Sequence, residues 1–180
     1  MKSNTRTNDR MRQRGAALVI ALIMLLVMTV LGIAAMQMTR MEERMAGNSR
    51  DVNLAFQGAE TGLRDSEEII RLMTIRPLTS CITAPCTVWR RDYLIQDKRD
   101  ADLAWWSANA IEYGVAGTQE VTEVTRDPLI VTESLGFVPD SLSVGHGPPE
   151  GRDFYKITAN SSGASDTATA VLESTYTRRF

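Results

Sequence analysis

The feature that most constrains this 180-residue chain is a long apolar run near its N-terminus. Residues 16–38 read AALVIALIMLLVMTVLGIAAMQM, with no charged side chain, and 20 of these 23 residues are Ala, Val, Ile, Leu or Met. As an α-helix the run would be roughly 35 Å long, against about 30 Å for the hydrocarbon core of a bilayer. The run is therefore predicted to be a membrane-spanning helix.

Two other interpretations of this run fit it less well. The apolar part of a cleaved secretory signal is about 7 to 15 residues long and ends at a small-residue cleavage site. This run is longer and continues into helical sequence. A core helix of a soluble protein is rarely apolar around its whole circumference for so many turns. An uncleaved span is the favoured interpretation.

The charge of the chain is distributed unevenly around this run. The whole chain has a net charge of −2, but residues 1–15 carry five basic side chains and one acidic side chain, which is +4, so the remainder carries −6. Basic residues before a span favour the cytoplasmic side, and the residues after it are then expected on the outer side. The acidic remainder argues against a nucleic-acid partner, because phosphate binding needs a basic surface.

The helical pattern continues beyond the apolar run. No proline occurs before Pro77, and apolar residues recur at steps of mostly three, four or seven, which predicts one helix from about residue 17 to 75 with an apolar stripe along its second half. We expect the C-terminal part of this stripe to lie under a globular head. Its apolar residues are Met38, Met41, Met45, Val52, Phe56, Ala59, Leu63, Ile70 and Met73. Glycines within the second half lower its helix propensity by about 1 kcal/mol each and make local bending plausible.

Residues 77–180 are predicted to form an α+β head. Short apolar segments separated by Gly, Pro, Ser and Asp replace the helical pattern there. Residues 101–112 are predicted to be a short helix, and residues 121–124 and 128–135 to be strands. Residues 153–160 and 167–177 are predicted to pair as an antiparallel hairpin around residues 161–166. Residues 138–151, with three Pro and three Gly, are predicted to be an exposed loop.

Few residues of the chain offer catalytic or metal-binding chemistry. Cys81 and Cys86 are the only cysteines, and on the outer side of a membrane a small disulfide loop is the favoured interpretation. Their spacing fits neither a zinc site nor a thioredoxin-like motif. His146 is the only histidine and lies in the predicted loop, and the charged residues 97–102 lack the pattern of a calcium loop. We expect no enzyme activity, no metal and no cofactor.

The two ends of the chain resemble a known family. Residues 14–60, RGAALVIALIMLLVMTVLGIAAMQMTRMEERMAGNSRDVNLAFQGAE, resemble the N-terminus of type IV pilins, and specifically of the PilX family of minor pilins. Residues 154–180 also resemble the closing hairpin of that family, whereas residues 77–150 are not distinctive. The resemblance implies the type IV pilin fold, with a basic leader (1–15), a membrane-spanning and filament-core helix (16–38), its amphipathic continuation (39–76) and a periplasmic head (77–180) with a small antiparallel sheet.

The resemblance also implies how the N-terminus is processed. Prepilin peptidase would cut after Gly15 on the cytoplasmic side, and Ala16 would become a methylated N-terminus. The apolar helix would then move from the inner membrane into the core of a filament. Gly32, Ala34 and Ala35 would let neighbouring helices approach closely, because small residues bring backbones together.

The sequence departs from the ordinary pilin pattern in two places. Ordinary pilins have a glutamate as the fifth residue after the cut, and this chain has Ile20. PilX-like and K-type pseudopilin tip subunits share that absence, and an unpaired carboxylate in an apolar bundle is costly. Gly58 and Gly62 stand where mostly alanine is expected, which implies a less stiff second half of the helix.

The function implied by the resemblance is noncatalytic. The chain is expected to help prime pilus assembly at or near the filament tip, and to support twitching motility and adhesion through the filament. Implied partners are other minor pilins, the major pilin, a PilY-type tip protein, the inner-membrane assembly platform and prepilin peptidase. The alternatives are a K-type pseudopilin of type II secretion, whose heads are usually larger, and a membrane-anchored periplasmic binding module or enzyme.

Overall fold

The chain divides into two compact units that share one long helix. A computed structural model describes residues 7–94, 98–114, 121–140 and 150–180, with side chains from residue 15 onward. The units are Met1–Gly47 and Asn48–Phe180. Helix α1 (Thr7–Leu72) is assigned as helix throughout and continues without a break across all of its glycines. The predicted single long helix is confirmed, and it begins about ten residues earlier than expected.

The second unit contains a four-stranded antiparallel sheet. Its strands are β1 (Ile111–Glu112), β2 (Leu129–Pro139), β3 (Gly151–Ser162) and β4 (Thr169–Arg178), and they lie in the order β1-β2-β3-β4. The predicted hairpin is confirmed as β3 and β4, which pair without interruption from Ser162↔Thr169 to Asp153↔Arg178. A long N-terminal helix and this sheet give the α+β, pilin-like fold class expected from the sequence.

Helix α2 (Leu103–Asn109) is shorter than the predicted helix at residues 101–112. Its N-cap is Asp102, whose side chain accepts a hydrogen bond from the Trp105 backbone N–H at 2.8 Å. Ala110 has an extended backbone, which ends the helix, and the next two residues form β1 instead. Of the two adjacent tryptophans, Trp106 is fully buried and Trp105 is partly exposed.

Two predictions about the head were wrong in part. Residues 121–124 do not form a strand, because they lie in turns and Glu123 has a φ of 75°, which is a left-handed conformation. Residues 138 and 139 belong to β2 and residue 151 to β3, so the ends of the predicted loop are strand. Residues 141–149, which include His146, lie outside the described residues.

The main core lies between α1 and one face of the sheet. Its buried members are Ala59, Leu63, Ile70, Val88, Ile130, Tyr155, Ile157 and Ala159. The predicted stripe is therefore buried over residues 59–70. The expectation was wrong for Val52 and Phe56, which keep 48% and 49% of their surface exposed.

Two glycines of α1 sit where the helix approaches the sheet most closely. A Cβ atom at Gly62 would lie 2.9 Å from Pro128 Cβ and 3.3 Å from Ile130 Cγ1. A Cβ atom at Gly58 would overlap the Ser161 Oγ atom. Real Cβ atoms essentially never approach other heavy atoms within 3 Å, so the close approach at Gly62 requires a glycine, whereas at Gly58 a Cβ would force the Ser161 hydroxyl to move.

The opposite face of the sheet carries a second, smaller core. Cys86, Trp89, Trp106 and Val131 are its buried members. The segment that holds Trp89 adds to the sheet beside β2, since the Trp89 N–H donates to the Thr132 carbonyl at 2.8 Å and the Ser134 N–H donates to the Trp89 carbonyl at 2.9 Å. The head is thus a sheet with α1 packed on one face and the second core, which includes α2 and the Trp89 side chain, on the other.

Candidate subunit interface

The first unit presents an extended apolar surface. Its large aliphatic side chains between Leu18 and Met45 are each about half or more exposed, and none of the span's most apolar window is buried. Within the described chain, one helix (Gly15–Leu72) is long and apolar enough, by length and composition, to cross a membrane. Such a surface is stable only in lipid or against other apolar helices.

All the processing and packing residues predicted from the sequence lie on α1. Gly15, Ala16 and Ile20 lie at the start of the part of α1 whose side chains are described, and Ile20 is 58% exposed. Apart from the backbone of its own helix and its chain neighbours, no atom lies within 4 Å of where a Cβ of Gly32 would stand, and Ala34 and Ala35 are also exposed. The surface around these small residues is open. Their roles in cleavage, methylation and helix packing remain predictions.

The two cysteines lie in the segment that connects α1 with the second core. Their Sγ atoms are bonded to each other, with the two Cα atoms 5.9 Å apart. Beside this loop the Arg90 N–H donates to the Cys81 carbonyl at 2.9 Å, and Cys81 forms a bridge with Trp89. The loop therefore adjoins the segment that extends the sheet beyond β2.

A carboxylate on α1 fastens the β3–β4 turn to the helix. Asp51 Oδ1 accepts the Ser165 backbone N–H at 3.1 Å, and Asp51 Oδ2 accepts the Ser165 hydroxyl. These hydrogen bonds, the hydroxyl one foremost, lower the pKa of Asp51. A Cβ atom at Gly163 would overlap Asp51, so the turn reaches the helix only because this residue is glycine.

A charged cleft of about 730 Å³ lies on the sheet face away from α1. Lys98 Nζ donates to Glu133 Oε2 at 2.6 Å, and the two side chains are only 8% and 7% exposed. Lys156 and Glu173, 3.0 Å apart, form a more exposed pair on the same cleft. In each of the two pairs, the positive charge of the lysine is balanced by the negative charge of the glutamate.

Other chemistry is sparse in the described part of the chain. No group of three or more His, Cys, Asp or Glu residues that could hold a metal ion occurs there. His146 lies outside that part. The absence of a cofactor and of enzyme activity stays an expectation.

The sequence did not reveal two features of the head. The sequence predicts a loss of helix stiffness at Gly58 and Gly62, whereas in the structure α1 approaches the sheet closely there, and their spacing of four on one helix face is a signal for such packing. The buried Lys98–Glu133 pair joins residues 35 apart in the chain, and no local pattern indicates that contact.

Together, an exposed apolar half-helix and a small head packed on the other half of the same helix define a membrane-anchored, pilin-like subunit. Two family models match the chain: the PilX N-terminal model over residues 14–64 and the model of the C-terminal part of the type IV pilus assembly protein PilX over residues 52–178. The chain belongs to the PilX family and is a minor pilin of type IV pilus assembly. No curated protein and no solved structure matches it.

Proposed function

We propose that this minor pilin helps to prime type IV pilus assembly and occupies a position at or near the filament tip. The observation that carries the proposal is Ile20, an exposed aliphatic side chain where ordinary pilins have a glutamate. In the family picture that glutamate pairs with the N-terminal amine of a neighbouring subunit. A subunit that lacks it suits the end of a filament, where such a neighbour is missing.

The apolar half of α1 supplies the association surface. Its exposed side chains would pack against the helices of other minor pilins and then of the major pilin, first in the inner membrane and later in the filament core. The head would give specificity for a PilY-type tip protein and for the assembly platform. Motility and adhesion would follow from the filament and not from chemistry of this chain.

The route to the filament starts with the leader. Prepilin peptidase would cut between Gly15 and Ala16, and the head would stay in the periplasm until assembly. The basic leader and the uncharged helix that follows it support this route. We also propose that the Cys81–Cys86 disulfide forms there, since the periplasm is oxidising.

Replacing Ile20 tests the proposal. Ile20→Glu would place a carboxylate in an apolar bundle without an assured partner, at a cost of several kcal/mol. We expect fewer pili, whereas the Ile20→Leu control should leave pilus number unchanged. Immunogold labelling of sheared pili should mark one end of each filament. Regular labelling along the shaft, with wild-type pilus number in Ile20→Glu, would contradict tip priming.

A further inference from the structure

The two edges of the sheet differ in how they are covered. The outer edge of β2 is paired with β1 at one end and with the Trp89 segment further along. Along β4, by contrast, no strand or bridge of the described residues pairs with the outer edge. That edge is ten residues long and contains neither proline nor a bulge. Exposed edges of this length are templates for another strand, and proteins usually protect them.

The backbone groups that face outward along β4 can be assigned from one hydrogen bond. The Gly163 N–H donates to the Ala168 carbonyl at 2.8 Å, so these residues form a hydrogen-bonded pair. Such pairs alternate along an uninterrupted antiparallel ladder. The even-numbered residues of β4 therefore bond to β3, and the N–H and C=O groups of five residues point outward: Thr169, Val171, Glu173, Thr175 and Thr177.

One flank of α1 lies beside this open edge. Glu67 Oε1 accepts a hydrogen bond from the Ser174 hydroxyl of β4 at 3.3 Å. Phe56 is eleven residues earlier, which at about 100° per residue places it within roughly 20° of the same direction on the helix. Phe56 is therefore on the flank that faces β4, and it is 49% exposed. Among the described residues, no Lys or Arg forms an ion pair with Glu67.

We propose that the outer edge of β4 binds an extended strand of another pilus subunit, which becomes the fifth strand of this sheet. Its backbone would pair with the outward groups of β4. Every second side chain of the added strand would lie on the face toward α1, and these side chains would include an apolar residue against Phe56 and a Lys or Arg near Glu67. Backbone pairing gives such contacts their affinity, and the alternate side chains give specificity. The inference rests on the proposed function, because it specifies how the head binds a pilus partner.

A second copy of this chain fits the edge poorly. Antiparallel pairing of two β4 strands would turn the two α1 helices antiparallel, so the Asn48 ends that lead into the apolar halves would point in opposite directions. Chains that leave their heads in opposite directions do not suit two subunits anchored side by side in one membrane or one filament. Parallel pairing in register would bring no cation to Glu67, because the only basic residue of β4 is Arg178 at its end. The partner strand therefore comes from a different sequence.

Thr175→Pro is the most selective test of this pairing. It removes one outward N–H and no ladder bond to β3, and proline is tolerated at that kind of edge position. Full-length tagged chains are purified in detergent from cells that carry the other pilus subunits. We expect recovery of a pilus subunit to fall about tenfold with Thr175→Pro. The added strand would lose one backbone hydrogen bond and would no longer fit closely against the edge of β4. Thr175→Ala keeps the N–H and should bind like the wild type.

A charge reversal tests the side-chain part of the proposal. Glu67→Lys should also reduce that recovery, whereas Glu68→Lys, whose carboxylate pairs with Arg71 on the exposed surface, should not. The melting temperature of each variant shows whether its head is folded. Wild-type recovery with a folded Thr175→Pro head would overturn the inference.

Amide hydrogen exchange of the wild-type chain provides a test that needs no variant. In the copurified complex, the outward amides of β4 should exchange more slowly than in the chain purified alone, while the amides bonded to β3 change little. Complexes that contain other pilus subunits but show equal exchange would refute this inference and leave the proposed function intact. Absence of the chain from pili, with normal piliation after its deletion, would refute both. Slower amide exchange that results from pairing between two copies of this chain would also refute the inference.

Discussion

Gly62→Ala sets two well-defined effects against each other. Alanine raises helix propensity by about 1 kcal/mol relative to glycine in a helix interior. The added Cβ would lie 2.9 Å from Pro128 Cβ, 3.3 Å from Ile130 Cγ1 and 3.4 Å from Ala159 Cβ. Pro128 is fully buried and its ring is rigid, so the added Cβ must push the helix away from the sheet. Overpacking of this kind costs about 1 to 3 kcal/mol.

We therefore expect Gly62→Ala to lower the free energy of unfolding of the head by about 1 kcal/mol. Gly62→Val should lower it further, because a larger side chain must fit into the same space. Gly47→Ala is the control, since a Cβ there meets nothing within 4 Å. Urea unfolding of the full chain in detergent, followed by fluorescence of the buried Trp89 and Trp106, measures the difference. A stabilised Gly62→Ala head would refute the close-packing argument.

Three further predictions concern the head. Replacing both Cys81 and Cys86 with Ser should lower the unfolding free energy by roughly 2 to 3 kcal/mol, and two free thiols in protein alkylated without reductant would contradict this. Because the pKa of Asp51 is lowered in the folded head, its contribution exists above pH 3.8 and is lost as pH falls through the lowered value. Asp51→Asn should therefore flatten stability against pH below about 4, and unchanged acid unfolding curves would exclude that contribution. Lys98→Met leaves the Glu133 charge buried and should cost about 3 to 5 kcal/mol, whereas replacing both residues with apolar ones should cost less in the same urea assay.

The predictable part of the fold was the part encoded by local periodicity. An uncharged run of 23 residues followed by an amphipathic stripe is enough to predict α1, and the alternation on both sides of residues 161–166 is enough to predict the hairpin. Those two elements set the fold class.

The parts that could not be predicted depend on distant contacts. The stripe periodicity includes Phe56, yet its burial depends on how far the sheet extends over α1. Residues 121–124 have strand-like composition, but a hydrogen bond from the Val121 N–H to Asp127 and the left-handed Glu123 hold them in turns. The same distinction applies to the two proposed contact surfaces. The apolar half of α1 can be recognised in the sequence, whereas the open edge of β4 can be recognised only from the order of the strands.

The central claim, that this chain is a processed subunit of the pilus, is tested most directly by mass spectrometry of sheared, washed pili. The account predicts the chain in that fraction, with an N-terminal peptide that begins at a methylated Ala16 and with no peptide from residues 1–15. Cells without prepilin peptidase should keep the full leader on the chain and have none of it in the sheared fraction. A chain that retains its leader in wild-type cells and stays with the membrane would contradict the account.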